Sequence, residues 1–349
     1  MKSTICFVPR EVFSQTKLSL ETLYERTETP FNLVCVDGNS PPKVAKYLQH
    51  AAAEKGFTLL RTDQYLTPNQ ARNLAANWAW ENTDSPWVVF VDNDVMVSQG
   101  WLSALERCAE ETDAWLVGPA YFEGLPERNR LHLYGGKCQI ETDAEGNRRY
   151  LEQHHHQHQP IEKLDQPLER CRTELIEFHT LLVRRQVYQQ LGPLDEGLMC
   201  HAEHGDLCLS VLQAGGTIWL EPDSEITYVP PKKLATEDRE FFFLRWSEAW
   251  MAANQKHFSD KWQLAHVKEA PGRGRDWVAQ HRRYGLACLP AMRKIIGRKL
   301  TRSIEKRVVA PLERLANERT YPLATAATLP TPSVQLVHSS RMRRQKAVA

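Results

Sequence analysis

Two carboxylates one residue apart, Asp92 and Asp94, close the run Trp87-Val88-Val89-Phe90-Val91. β-Branched and aromatic residues in such a run read as a buried strand. Burying an unpaired carboxylate is costly, so carboxylates at a strand end look outward and find a cation or a donor. In an open α/β sheet the carboxyl ends of the strands are also where ligands bind. A hard divalent ion held by oxygen ligands, bridging to a substrate diphosphate, suits that geometry. Asp94 is therefore expected to face solvent and the ion. D-x-D also occurs by chance in many loops, so a plain surface turn is the alternative.

The elements that must position these groups alternate between strand and helix. Thr4–Val8 reads as a first strand ended by Pro9, residues 15–26 as a short helix, and Phe31–Val36 as a second strand before the turn Asp37-Gly38-Asn39-Ser40. Lys43–Lys55 is a second helix and Thr58–Leu60 a short strand. The best-marked helix spans 67–80, with Thr67 as N-cap, Pro68 at the first helical position and Gln70 completing a capping box. Ala71, Leu74, Ala75 and Trp78 form its buried face, leaving Asn69, Arg72 and Asn73 on the other side of the first turn. This rhythm predicts a βαβ sheet with a parallel core. Residues 122–172 interrupt it, being polar and rich in His, Arg and Glu, with His154-His155-His156-Gln157-His158. We read that stretch as a solvated insertion loop in preference to a metal site. Strand, helix, turn, helix and strand resume over Glu177–Val183, Gln186–Leu191, Gly192–Glu196, Leu207–Ala214 and Thr217–Leu220.

Taken in order, these pieces resemble the family 2 glycosyltransferases of the GT-A fold. The resemblance rests on the strand ending in Pro9, Val36-Asp37-Gly38-Asn39-Ser40, Asn69-Gln70-Ala71-Arg72-Asn73 and Val91-Asp92-Asn93-Asp94. It continues through Leu182–Glu196 and Glu203–Ala214, and His257-Phe258-Ser259-Asp260-Lys261-Trp262 is similar to an ending of rhamnosyltransferase-like members. About residues 3–262 are covered. The resemblance implies a Rossmann-like, mostly parallel sheet flanked by helices. It implies nucleotide contacts from Pro9, Arg10, Glu11, Asp37, Asn69, Arg72 and Asp92. In that scheme Asp37 accepts hydrogen bonds from the base, Arg72 fixes a guanidinium near the nucleotide, Asp92 faces the ribose, and Asp94 ligates Mn2+ or Mg2+ between the phosphates. For Asp37 a turn aspartate holding its own backbone is the alternative, and for Arg72 packing over the sheet edge.

Where the family carries Glu-Asp-x-Asp, with the first Asp as base toward the acceptor hydroxyl, this chain reads Glu203-His204-Gly205-Asp206. Either Glu203 or His204 can be the catalytic base, with Glu203 favoured on chemical type and a one-residue shift bringing it to the same hydroxyl. Asp206 is a further catalytic candidate whose alternative is to cap the following helix. The family often places a metal-binding His after the last strand; Tyr228 stands about there.

Composition sets the remaining bounds. The chain has 349 residues, 42% hydrophobic and 25% charged, ordinary values for a soluble protein with one large domain or two smaller ones. No secretory signal or membrane span is expected, and eight cysteines without a CxxC pair suggest reduced thiols in the cytoplasm. The net charge of +1 conceals a split: residues 271–349 hold 17 Lys and Arg against 4 Asp and Glu. We expect a glycosyltransferase domain over 1–265, a basic amphipathic helical extension over 266–320 and a tail without regular structure over 321–349. Arg282, Arg283, Arg293, Lys294, Arg298 and Lys299 lie among large apolar residues. That pattern suits an anionic membrane surface on the inner face; packing on the catalytic domain is the alternative. No nucleic-acid motif accompanies the charge. The expected activity is metal-assisted, inverting transfer of a sugar from a nucleoside diphosphate sugar to a hydroxyl acceptor, such as a glycan or lipid-linked sugar. The alternatives are a sugar-nucleotide binding module without catalysis and a nucleotidyltransferase. The latter normally carries a Gly-rich basic loop where this chain has Pro9-Arg10-Glu11-Val12.

Overall fold

The computed structural model describes residues 3–124, 129–265, 270–320 and 332–339. The chain begins β1 (Thr4–Val8), α1 (Thr16–Arg26), β2 (Asn32–Asp37), α2 (Pro42–Lys55), β3 (Thr58–Thr62), α3 (Pro68–Asn82) and β4 (Trp87–Asp92). It continues with β5 (Val95–Val97), α4 (Trp101–Thr112), β6 (Leu116–Glu123), β7 (Leu131–Leu133), β8 (Gly136–Thr142), β9 (Arg148–His154) and β10 (Cys171–Arg172). Then come β11 (Thr180–Arg184), α5 (Arg185–Leu191), α6 (Glu203–Gln213) and β12 (Ile218–Tyr228). Helices α7 (Arg239–Arg245), α8 (Glu248–Lys261), α9 (Ala270–Gly285), α10 (Cys288–Ile304) and α11 (Ala310–Thr320) follow, and β13 (Val334–His338) is last.

The main sheet runs β10-β12-β6-β11-β4-β1-β2-β3-β13. From β12 to β3 every strand points the same way except β11, which is antiparallel to both neighbours. Strand β4 is buried along its whole length, as a strand covered by helices on both faces must be. The capping box of α3 is made in full: Thr67 accepts from the Gln70 N–H, and Gln70 Oε1 accepts from the Thr67 N–H at 3.0 Å.

Three expectations are corrected. Residues 122–172 are not an irregular loop: they contain the β8–β9 hairpin, paired from Gly136↔His154 to Thr142↔Arg148, together with β7 and β10. Cys138 and Ile140 of β8 and Tyr150 of β9 face the core, but the polar residues around them mask that alternation. Within 321–349, Val334–His338 pairs antiparallel with β3 as an edge strand; residues 321–331 and 340–349 lie outside the described residues. Helix α6 starts at Glu203, not Leu207.

The extension packs on the rest of the chain. Val278 of α9 joins Trp246, Trp250, Phe241 and Phe242 in a second apolar cluster that also takes in Val12 and Phe13. Helices α10 and α11 begin at or just before Pro290 and Pro311, and α10 kinks at Gly297, whose φ is +79°.

Helix α3 is stitched to the turn before α6. Asn73 Nδ2 donates to Leu194 O at 2.8 Å and Glu196 Oε1 at 2.9 Å, while its Oδ1 accepts from the Leu194 N–H at 2.9 Å. Asn73→Leu strands both buried Leu194 backbone groups and should cost about 1–3 kcal/mol. A lowered urea midpoint with an unchanged slope is the expected result; an unchanged midpoint would mean that water replaces the amide.

Candidate active site

Register decides what meets at the carboxyl edge of the sheet. Val8 pairs with Asp92, and the Asn93 N–H donates to Val8 O at 3.1 Å, so Pro9-Arg10-Glu11 and Asp92-Asn93-Asp94 leave adjacent strands side by side. Asn93 Oδ1 then accepts from the Arg10 N–H at 2.9 Å. Because β11 is antiparallel, its amino end arrives at that same edge, where His179 O accepts from the Asp92 N–H at 3.0 Å. The carboxyl end of β12 closes the group: the Val229 N–H donates to Asp94 O at 2.9 Å, and the Tyr228 ring lies 4.5 Å from that of His179.

The result is a cluster of buried charge. Asp92 has no solvent exposure; its Oδ1 accepts from Arg72 at 3.1 Å, and its Oδ2 lies 3.5 Å from Arg10 and 3.9 Å from His179 Nδ1. Arg72 is equally buried, with its guanidinium 3.9 Å from the centre of the Phe178 ring. It therefore does not stand on an open face of α3, and what it holds is Asp92. Asn69 is committed too, donating to Asp195 O at 2.9 Å and accepting from Arg72 at 3.2 Å.

Asp94 does not face solvent as expected. It is 1% exposed, and neither carboxylate oxygen has a hydrogen-bond donor among the described residues. Burial, only partly opposed by Arg10, pushes its carboxyl up to about 8. His179 is driven well below the ordinary histidine range by burial and Arg10, which keeps the imidazole neutral. One oxygen each from Asp92 and Asp94 and a ring nitrogen of His179 all lie within 4.8 Å of one another. Two carboxylates and a neutral imidazole with orphaned oxygens are a donor set that fits a divalent cation. The imidazole at this edge is that of His179, the residue before β11, and not of the position where Tyr228 stands. Nothing in the sequence marks it, since the antiparallel register that brings it across from Asp92 is a tertiary fact.

Asp37 at the end of β2 accepts from the Ser40 N–H at 2.8 Å and from Arg61. It is thus a turn aspartate holding its own backbone as well as a group at the ligand edge. Glu11 accepts from Trp246 Nε1 at 3.0 Å and from Tyr228 at 3.3 Å. Against burial, which raises it, Arg245 and Arg10 hold the Glu11 carboxyl below the usual range.

Helical phase separates the residues of Glu203-His204-Gly205-Asp206. Successive helical positions differ by about 100°, so a one-residue shift cannot bring Glu203 to the place of His204. Glu203 points toward Arg245, 3.5 Å away; against the cost of burial, Arg245 and Arg72 pull its carboxyl down to about 2. His204 lies between Glu152 at 3.4 Å and Glu177 at 3.6 Å. Burial opposes its charge, but those carboxylates prevail and raise it to about 10. A histidine charged at neutral pH has no lone pair with which to accept a proton, so it is not poised as a base. Asp206 is not a helix cap: it accepts from Trp262 Nε1 and from Lys261 Nζ, both at 2.8 Å.

Arg245 is the member of this charge cluster that the sequence hides. Its side chain is fully buried, NH1 donates to Arg10 O at 3.0 Å, and it lies 3.5 Å from both Glu11 and Glu203. Removing one partner of a buried charge pair costs about 3–5 kcal/mol. Arg245→Met should lower the unfolding free energy by that order, read from chemical denaturation. A loss below about 1 kcal/mol would show that Glu11 and Glu203 find water instead.

Comparison with known proteins places this geometry. A model of glycosyl transferase family 2 matches residues 13–192, more than half of the chain. No curated protein matches. Among solved structures, a crystal structure of GalNAc-T7 with UDP, GalNAc and Mn2+ aligns at 16% identity and a TM-score of 0.48, over 81% of this chain and 55% of that one. S. aureus TarS 1-349 in complex with UDP-GlcNAc aligns at 12% identity and a TM-score of 0.45, over 81% of this chain and 72% of that one. The chain thus spans about half the length of GalNAc-T7. On the family match, the chain belongs to glycosyl transferase family 2, and its helix-flanked, mostly parallel sheet is the GT-A fold.

Proposed function

We propose that the chain transfers a sugar from a nucleoside diphosphate sugar to a hydroxyl acceptor, with Asp92, Asp94 and His179 holding a divalent cation. The observation that carries this reading is Asp94, whose two buried oxygens lack donors within reach of a neutral imidazole and a second carboxylate. An imidazole in the set suits Mn2+ better than Mg2+. When bound, the ion would act as a Lewis acid toward the leaving diphosphate. The chain's own residues orient and balance charge. Arg72 fixes Asp92, Arg10 adds positive charge beside the diphosphate position, and Asp37 and Pro9 border the place of the nucleoside. Asp94→Asn should abolish transfer while the fold persists, because no partner is stranded by the change. Activity retained at saturating Mn2+ would remove Asp94 from the ion.

Glu203 is the better candidate for the base, because it is ionised at neutral pH and His204 is charged. Attack by a hydroxyl activated there, on the face away from the diphosphate, inverts the anomeric centre. Loss of a general base costs about 10²–10⁴ in rate. Glu203→Gln should fall by that factor and His204→Asn by less; the reverse order would move the role to His204. A binding module without turnover keeps support from the Arg245 contact that holds Glu203. Nucleotide binding with neither transfer nor hydrolysis would favour it. The His257–Trp262 ending, similar to that of rhamnosyltransferase-like members, supports that subtype only weakly, since His257 and Lys261 bond Asp195 and Trp262 bonds Asp206.

We also read the chain as a cytoplasmic protein that attaches reversibly to an anionic leaflet through α10. No described helix is long and apolar enough to cross a membrane. Arg293, Lys294, Arg298 and Lys299 are exposed beside Ile295, which is 83% exposed. Arg282 does not belong to this set: it is 5% exposed and engages Glu248 and Glu313. Each cation near such a surface contributes about 1 kcal/mol, so changing those four to Gln should weaken vesicle binding about 10³-fold at low salt. Equal sedimentation of both proteins with anionic vesicles would mean that the basic face is merely solvated.

A further inference from the structure

We propose that Glu152, His154 and His204 form a second metal site, for a borderline first-row divalent ion of the Zn2+ class, which clamps the β8–β9 hairpin to α6. Glu152 and His154 are two residues apart on β9 and so share one face of the strand. His204 reaches them from the first turn of α6. One donor atom from each lies within 4.8 Å of the others.

The deepest of the three groups is His204. Its side chain is nine-tenths buried, and its Nε2 faces Glu152 Oε2 at 3.4 Å without completing a hydrogen bond. In the metal-free protein that ring is charged between Glu152 and Glu177; an ion at Nε2 would take the place of its proton, which binding would release.

The surroundings are built as metal ligands require. A ligating histidine usually sets its other ring nitrogen against a carboxylate or amide, which fixes tautomer and ring orientation. Here Glu177 lies behind His204 Nδ1 at 3.6 Å, and the Gln157 side chain contacts His154 Nδ1 at 3.0 Å. Tyr150 donates to Glu152 Oε2 at 2.6 Å, leaving the other oxygen toward His154 Nε2 at 2.8 Å. The Tyr150 side chain seats directly against the backbone of α6: a Cβ on Gly205 would lie 2.1 Å from its hydroxyl. A third convergence, Glu123 with His132 and His158, differs in that Arg130 already supplies a cation to Glu123 at 2.9 Å.

Donor chemistry separates the two sites. Two imidazoles and one carboxylate favour Zn2+ or Co2+, whereas two carboxylates and one imidazole at Asp92, Asp94 and His179 lean toward Mn2+. The inference is independent of the sugar-transfer reading, because it rests on the hairpin and not on the nucleotide edge. Its consequence for α6 is direct: an ion on Nε2 commits His204 to a positioning role.

The full-length protein is loaded with Co2+, freed of excess ion by gel filtration and assayed for metal per chain and for visible d–d absorption. Wild type and Asp94→Asn should retain one tightly held Co2+. His154→Gln and Glu152→Gln should lose it while their metal-free far-ultraviolet circular dichroism matches wild type. Glu177→Gln should weaken retention about 10–100-fold. Three outcomes overturn the proposal: no ion retained by wild type, retention that follows Asp94, or retention unchanged in both His154→Gln and Glu152→Gln.

Discussion

Asp92 and Arg72 meet at 3.1 Å with neither side chain reaching solvent, and around them stand Arg10, Glu11, Glu203 and Arg245. Taking one such charge out of water costs several kcal/mol, so the cluster persists only if each member is balanced and held by elements that cannot part. That requirement explains much of the architecture. Helix α3 is capped at Thr67 so that Arg72 enters the sheet at a fixed depth, and α7 delivers Arg245 onto the far side of Glu11. Asp94 is the member left unbalanced, and it stands where the chemistry is proposed.

One antiparallel strand in an otherwise parallel run is the topological means of filling that site. Parallel strands present only their carboxyl ends to the ligand edge. Strand β11 presents its amino end there instead, which brings Glu177 and His179, just before it, to that edge. His179 ends up opposite Asp92, and Glu177 behind His204. A single strand reversal therefore supplies the imidazole of one candidate ion site and an outer carboxylate of the other.

The parts legible in the sequence were those written in local pattern. The alternation of strands and helices and the Thr67–Gln70 capping box depend on neighbours a few residues away and stand where expected; Asp92 closes β4 as read, but Asp94 after it is buried. What was not legible depended on distant partners. Arg72 reads only as lying off the buried stripe of its helix, because the carboxylate that justifies its burial is 20 residues on. His179 and Arg245 carry no motif, and their places in the cluster come from register and from the packing of α7. The hairpin at 136–154 is hard to read because its core-facing side carries only Cys138, Ile140 and Tyr150 among polar residues. Val334–His338 pairs with β3 from Val334↔Thr62 onward, a contact that no window of sequence contains.

The basic extension shows why charge composition alone misplaces function. Seventeen Lys and Arg beyond residue 270 suggest one uniform surface. The structure divides them by depth. Arg282 is enclosed by Glu248, Glu305 and Glu313, while α9 stacks His281 on Trp246 at 3.8 Å between ring centres. Trp246 in turn donates to Glu11 at the candidate site. Mechanical continuity thus runs from α9 through α7 to the ligand edge, whereas the cations of α10 beyond the start of that helix face water. Removing the whole extension would strip an aromatic wall from the site, so loss of activity in such a truncation would say nothing about lipid. Only the exposed cations of α10 separate attachment from catalysis, since they touch neither the charge cluster nor the aromatic stack that braces it.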